Sequence, residues 1–239
     1  MLKIENVVLP SDEQWKAIIR GMRNPKNSWE RSDSICDDNI CYNQECDKCK
    51  NCQYFYGWDT QCIPALGEND LTLMKTLVKG GPVHAKFRRM IPVFFDITAP
   101  FYWWKEFDTY KISTVRNSCS TMHKIHSKEF EVKDFSIEHL NVPSLIVISY
   151  TIQVLNFYRK RFLETKNKSD WWNLIQLLPS SYNQRSTIML NYEVLYNMYH
   201  SRRHHKLDEW HTFCDWIETL PYAKELIIGE KGDDEDGRE

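Results

Sequence analysis

The sequence predicts a mixed helix-and-strand fold, α/β in the broad sense and α+β in detail, interrupted by a cysteine-rich insert. Three observations carry this. Apolar residues recur at helical spacing in several separate segments. One run, Phe87 to Ile97, is dense in Val, Ile and Phe as a buried strand would be. Six of the eight cysteines fall between Cys36 and Cys62, in a stretch too short and polar to own a core.

Ser11 and Gln14 form a capping-box pair, and Trp15, Ile18, Ile19 and Met22 follow at helical spacing, so a first helix is expected over about 12–23. The stretch Asn24 to Ser34 breaks it, and the cysteine segment follows. A second helix opens near Asn69 and stops at Gly80-Gly81, a C-terminal signal. Within the strand at 87–97, Pro92 has to occupy an edge or bulge because it lacks an N–H. Residues 99–110 read as a helix with Pro100 in the first turn, where proline is tolerated. A long helix is expected over Val142 to Lys166, its end turning basic, and Ser169 is read as the cap of another that stops before Pro179. Asn191 to Arg203 and Leu207 to Leu220 read as a closing helical pair.

At 239 residues, with 42% hydrophobic and 13% aromatic residues, the chain suits one large domain with a small module. The expected division is an N-terminal helix and loop (1–34), the Cys-rich insert (35–65), a core (66–229) and an acidic tail (230–239), expected to be disordered. A net charge of -2 supplies no basic field for gripping nucleic acid by its backbone, so nucleic acid is not an expected partner. The start, Met1 to Pro10, lacks a basic-then-apolar leader pattern, and polar residues interrupt the longest apolar stretch, Val142 to Tyr158. The expectation is a soluble cytoplasmic protein without membrane partners.

Cys36, Cys41, Cys46, Cys49, Cys52 and Cys62 contain two overlapping C-x-x-C pairs. Thiolates at that spacing close on one tetrahedral zinc ion from a tight turn, so a structural zinc is expected. Six candidates compete for four positions, and the spacing does not choose among them. An iron–sulfur cluster and free thiols are the alternatives, the first lacking the fourth cysteine and following proline of a ferredoxin run. A second candidate, His204, His205, Asp208 and His211, also reads as the polar face of an amphipathic helix whose inward residues are Leu207, Trp210, Phe213, Cys214 and Ile217.

The order His84, strand, Ala99-Pro100, helix, Thr109-Tyr110-Lys111, seven residues, Cys119 resembles the flavin-dependent thymidylate synthases. Their signature is Arg-His-Arg, seven residues, then Ser. Further on, Leu178-Pro179, Tyr182, Asn191, Asn197 and Arg202 fall at that family's intervals. The likeness covers roughly residues 80–220. The chemistry departs from it: Thr109 and Tyr110 replace Arg and His, Lys111 keeps the charge of the second Arg, and Cys119 stands for Ser. Glu106 replaces a Gln and Asn117 a Glu, while Thr121, Ile175 and Glu193 each replace an Arg.

The resemblance implies FAD as cofactor, NADPH and methylene-tetrahydrofolate as possible co-substrates, a pyrimidine nucleotide such as dUMP as substrate, and a homotetramer. It also implies roles for individual residues. Glu106, Tyr110, Lys111 and Cys119 take the catalytic positions; His84, Lys111, Asn191 and Asn197 the cofactor positions; Arg202, Asn117 and Arg116 the substrate side. Cys119 also reads as a small buried residue, and His84 as a structural one. The expected function is reductive one-carbon transfer to a pyrimidine nucleotide. The alternative is a catalytically lapsed member of the fold that binds a nucleotide or a protein.

Overall fold

The structure, a computed structural model, describes residues 2–34 and 65–229. The six clustered cysteines and the acidic tail lie outside the described residues. In chain order the elements are β1 (Lys3–Val8), α1 (Asp12–Arg23), α2 (Glu68–Lys79), β2 (Pro92–Pro100), α3 (Phe101–Phe107), β3 (Val115–Ser118), α4 (Thr121–Lys124), α5 (Val142–Thr165), α6 (Lys168–Leu177), β4 (Asn183–Asn191), α7 (Tyr192–Arg202) and α8 (Asp208–Glu218). A short π-turn, Lys224–Ile228, closes the described chain. The four strands form one antiparallel sheet in the order β1-β2-β4-β3.

Several boundaries differ from expectation, each for a local reason. The strand begins at Pro92, where a missing N–H costs least, and Lys86–Met90 before it winds into a 3-10 turn. The helix expected over 99–110 is only Phe101–Phe107, because Ala99 and Pro100 still belong to β2. The cap of α6 is Asn167, whose side chain accepts from the Ser169 N–H, in place of Ser169 itself. The expected capping box of α1 is present, with Ser11 and Gln14 bonding each other's backbone.

The chain divides into two compact units. Among the described residues one comprises 2–6, 95–111 and 115–188; the other 7–34, 65–94, 112–114 and 189–229. In the first, α5 and α6 pack through Ile148, Ile152, Leu155 and Leu174, with Ile125, Phe130 and Phe135 completing the cluster. The same unit contains α3, whose Trp103, Trp104 and Phe107 are buried as an aromatic knot with ring centroids 5.0–5.3 Å apart. Such pairs add to simple area burial.

The second unit is organised by buried charge. Asp70 of α2 is fully buried and accepts from the Arg23 guanidinium, from the hydroxyls of Ser32 (2.8 Å) and Ser34 (2.6 Å), and from the N–H groups of Asp33 and Ser34. Arg23 in turn donates to the carbonyls of Ser28 and Arg31. Asp33 then caps α2 from outside the helix, accepting from the N–H groups of Asn69 (2.9 Å) and Asp70 (3.1 Å). Position 67 has to be glycine, since a Cβ there would lie 2.2 Å from the Asp33 carboxyl carbon. The Gly67 N–H donates to the Ser34 hydroxyl at 3.0 Å, so residue 34 and residue 67 meet.

Burial alone would push the Asp70 carboxyl up, but the Ser34, Ser32 and Arg23 hydrogen bonds overcome it and hold its pKa below the usual 3.8. Because the folded value is depressed, this stability is present above the ordinary carboxylate range and is lost as pH falls through and below it. Asp70→Asn should therefore cost about 3–5 kcal/mol at neutral pH, the penalty for stranding a buried Arg. Urea unfolding at pH 7 and pH 3 checks this: the gap to wild type should narrow at the lower pH, and a gap independent of pH would contradict it.

Candidate functional site

In the first unit the segment after α3 is fixed by one arginine. Arg116 of β3 donates through all three nitrogens: Nε to the Ser186 hydroxyl at 3.0 Å, Nη1 to both Asp108 carboxylate oxygens at 2.7–2.8 Å, and Nη2 to Gln184 Oε1. Its guanidinium carbon also lies 3.7 Å above the Trp104 ring, a cation–π contact. Gln184 uses its amide nitrogen on the Cys119 carbonyl (2.7 Å), and the Cys119 N–H donates to the Arg185 carbonyl (2.9 Å). The result is a rigid ledge whose backbone is registered on β4.

The start of α3 is anchored as well. Its Phe101 and Tyr102 N–H groups, which no helical carbonyl can reach, donate to the carbonyls of Tyr182 and Ser180 at 3.1 Å. The turn after Leu178-Pro179 is thus the N-terminal cap of α3, a structural reason for that spacing. Burial pushes the Tyr182 hydroxyl up to about 12, so it stays protonated at any working pH.

On this frame Glu106 and Tyr110 are half-buried, while Lys111, Asn117 and Cys119 are exposed. Lys111 makes no ion pair among the described residues. Arg116, by contrast, has its donors committed to the protein. Cys119 is a free, exposed thiol, whereas Cys214 on α8 is fully buried and desolvation pushes its thiol up to about 12.

The second unit contains the remaining candidates. Asn191 is the N-cap of α7, its side-chain oxygen accepting from the Val194 N–H at 3.1 Å. Asn197 is exposed on the same helix. Arg202 lies 5.1 Å over the Trp210 ring. His84 is exposed in the turn after α2, packed at 3.1–3.3 Å against the space a Gly80 side chain would fill. Glu193, at a position where the resembling family has Arg, is buried and paired with Arg88, whose Nε and Nη2 both reach its Oε2 at 2.8 Å. The Asp208–His211 pair is an i,i+3 contact at 3.8 Å, and among the described residues no group of three or more His, Cys, Asp or Glu is arranged to hold a metal ion. Among the described residues, no helix is long and apolar enough to cross a membrane.

Sequence reasoning missed the residues that build the ledge: Asp108, Gln184 and Ser186, and with them the whole of β4. The signal was present. Gln184, Ser186, Ile188 and Leu190 alternate inward, while Arg185 and Thr187 alternate outward onto Asp96 of β2. Two of the four inward residues are polar, so a hydrophobicity pattern does not reveal the strand.

No family model matches the chain, and no curated protein matches it. Solved structures do. The thymidylate synthase X (ThyX) structure from Helicobacter pylori with FAD and dUMP aligns over 95% of this chain and 97% of that one, with 16% identity and a TM-score of 0.60. A second Helicobacter pylori structure, flavin-dependent thymidylate synthase ThyX complexed with FAD and dUMP, covers the same shares at 16% identity and a TM-score of 0.57. The chain has the ThyX fold.

Native-state alkylation followed by peptide mapping should modify Cys119 quickly and leave Cys214 protected until the protein is unfolded. Equal rates at the two positions would contradict the burial described here.

Proposed function

We propose that the chain is a divergent, flavin-binding protein of thymidylate synthase type that acts on dUMP or a related pyrimidine nucleotide. The observation that carries this reading is fold likeness, over nearly the whole chain, to ThyX structures with FAD and dUMP. The intervals linking His84, Lys111, Cys119, Asn191, Asn197 and Arg202 agree with it.

The residues present fit a flavin better than they fit the family's usual nucleotide phosphate pose. In the first unit exposed Lys111 offers a cation of the kind that suits a flavin's phosphates; in the second, exposed Asn197 and His84 offer hydrogen-bonding groups of the kind that suit a ring edge. A bound flavin supplies hydride transfer, and reductive one-carbon transfer is the matching reaction, with NADPH and methylene-tetrahydrofolate as co-substrates. In the first unit Lys111 offers a cation toward an anionic substrate, Glu106 brings a carboxylate on α3, and Cys119 exposes a thiol nearby in sequence. Ile175 has no group for phosphate, Thr121 supplies a hydroxyl but no charge, and Arg116 and Glu193 are engaged within the protein.

That same set of engaged or neutral positions favours a second reading, a lapsed member of the fold that binds without turnover. Self-association is part of both readings. It is supported by α5, which exposes Val142, Ile146, Val147, Tyr150 and Phe157, each more than half exposed.

The purified protein should bind FAD, show flavin absorbance that bleaches with NADPH, and turn over a pyrimidine nucleotide with a methylene-folate donor. Flavin bands that do not bleach, or nucleotide binding without turnover, would select the lapsed reading. Absence of flavin binding at micromolar protein would sink the enzyme reading. Light scattering on the same sample should give a mass above that of one chain, falling when Tyr150→Glu charges the α5 stripe.

A further inference from the structure

In the first unit His126 stands in a 3-10 turn, Ile125–Ser127, that follows α4 and packs against α5. Three contacts seat this turn. Arg159 Nε of α5 donates to the His126 carbonyl at 3.0 Å, the His126 ring meets the Phe162 ring edge-on at 4.8 Å with an interplanar angle of 70°, and Ile125 is buried in the apolar cluster of α5 and α6. Just before the turn, Trp171 Nε1 of α6 donates to the Met122 carbonyl of α4 at 2.9 Å.

The ring itself is less well provided for. Its Nδ1 is buried and has no hydrogen-bond partner among the described residues. A neutral imidazole tolerates this, because its proton then sits on Nε2 and Nδ1 keeps only a bare lone pair, whereas an imidazolium carries a donor on both nitrogens. The charged groups that act on the ring from the packed elements are Lys166 at the end of α5, Lys124 of α4 and Arg159 of α5, all of them cations. Lys166 Nζ lies 5.8 Å from the centroid of the same Phe162 ring that the histidine meets. Burial first, and then these three cations, hold the His126 pKa below the usual 6.5.

We propose that His126 is a proton-operated latch: neutral, it keeps the turn seated on α5; protonated, it swings out to water and releases residues 121–127. A proton placed on the buried Nδ1 meets no acceptor there and three cations nearby, so the ring has to turn outward, which gives up the Phe162 contact and draws the turn away from Arg159. In the released turn the ring regains its ordinary pKa, so the folded value is the depressed one. The seat is therefore fully held above the ordinary histidine range and weakens as pH falls through 6.5 toward the folded value. The released stretch starts two residues after Cys119, so the latch governs the segment that leaves the ledge. This goes beyond the flavin and pyrimidine reading and does not rest on it.

The test is hydrogen exchange of the full-length chain at about pH 7.5 and about pH 5.5, expressed as protection factors so that the intrinsic pH dependence of exchange cancels. In wild type, protection over residues 121–127 should fall several-fold at the lower pH while that of β4 is unchanged. His126→Phe, which keeps an aromatic edge but takes no proton, should hold the segment equally at both values. His123→Gln, which alters the exposed neighbouring histidine, should leave the fall intact. His126→Gln, also without a titrating ring, gives the same pH-independent readout should His126→Phe fold poorly. Wild-type protection that is the same at both values, a fall that persists in the folded His126 variants, or a fall abolished by His123→Gln would overturn the proposal, as would an equal fall across β4.

Discussion

The buried pair of Arg88 and Glu193 is the constraint on which the second unit depends. Arg88 is almost wholly inaccessible, and its guanidinium meets the Glu193 carboxylate twice, the Leu226 carbonyl at 3.3 Å and the Tyr196 ring face. One side chain thereby joins the 3-10 turn before β2, helix α7 and the closing π-turn. Removing a cation of this kind from water is costly unless its donors are satisfied, and here acceptors and a ring replace the lost hydration. The same pair explains a departure from the resembling family. An Arg at position 193 would confront Arg88 inside the protein, so the two positions have to be complementary to each other before either can serve a ligand.

A similar trade shapes the first unit. Arg116 is well placed in sequence to meet a substrate, yet Asp108, Gln184, Ser186 and Trp104 take its donors and its flat face. Its work is to fix the ledge that presents Lys111 and Cys119. The chain shares its fold with ThyX at 16% identity, and likeness of fold does not fix the charges of a site.

The sequence made some of this legible and hid the rest for identifiable reasons. Helices α1, α2, α5 and α8 announce themselves because each carries a cap, a glycine stop or a clean apolar stripe. The strand β2 was visible through Val93, Phe95 and Ile97, all inward, although its register lay several residues later than its apolar run suggested. Strand β4 was hidden by inward Gln184 and Ser186, and β1 and β3 by short, largely polar sequences. The candidate residues were found through family spacing, which locates positions but does not reveal how they are engaged. That Asn191 caps a helix, that Arg116 is clamped and that Glu193 answers Arg88 depend on partners about 70 to 105 residues away in the last two cases, beyond the reach of local pattern.

The account rests on Arg88 and Glu193 acting as one structural unit, and a double-mutant cycle measures that directly. Urea unfolding of Arg88→Met, Glu193→Leu and the double variant should show each single change costing about 3–5 kcal/mol, because each strands a buried charge. The double change should cost less than the sum of the two by a coupling of at least about 1–3 kcal/mol. Additive losses, or single variants as stable as wild type, would show that the pair does not organise the unit and would contradict the account.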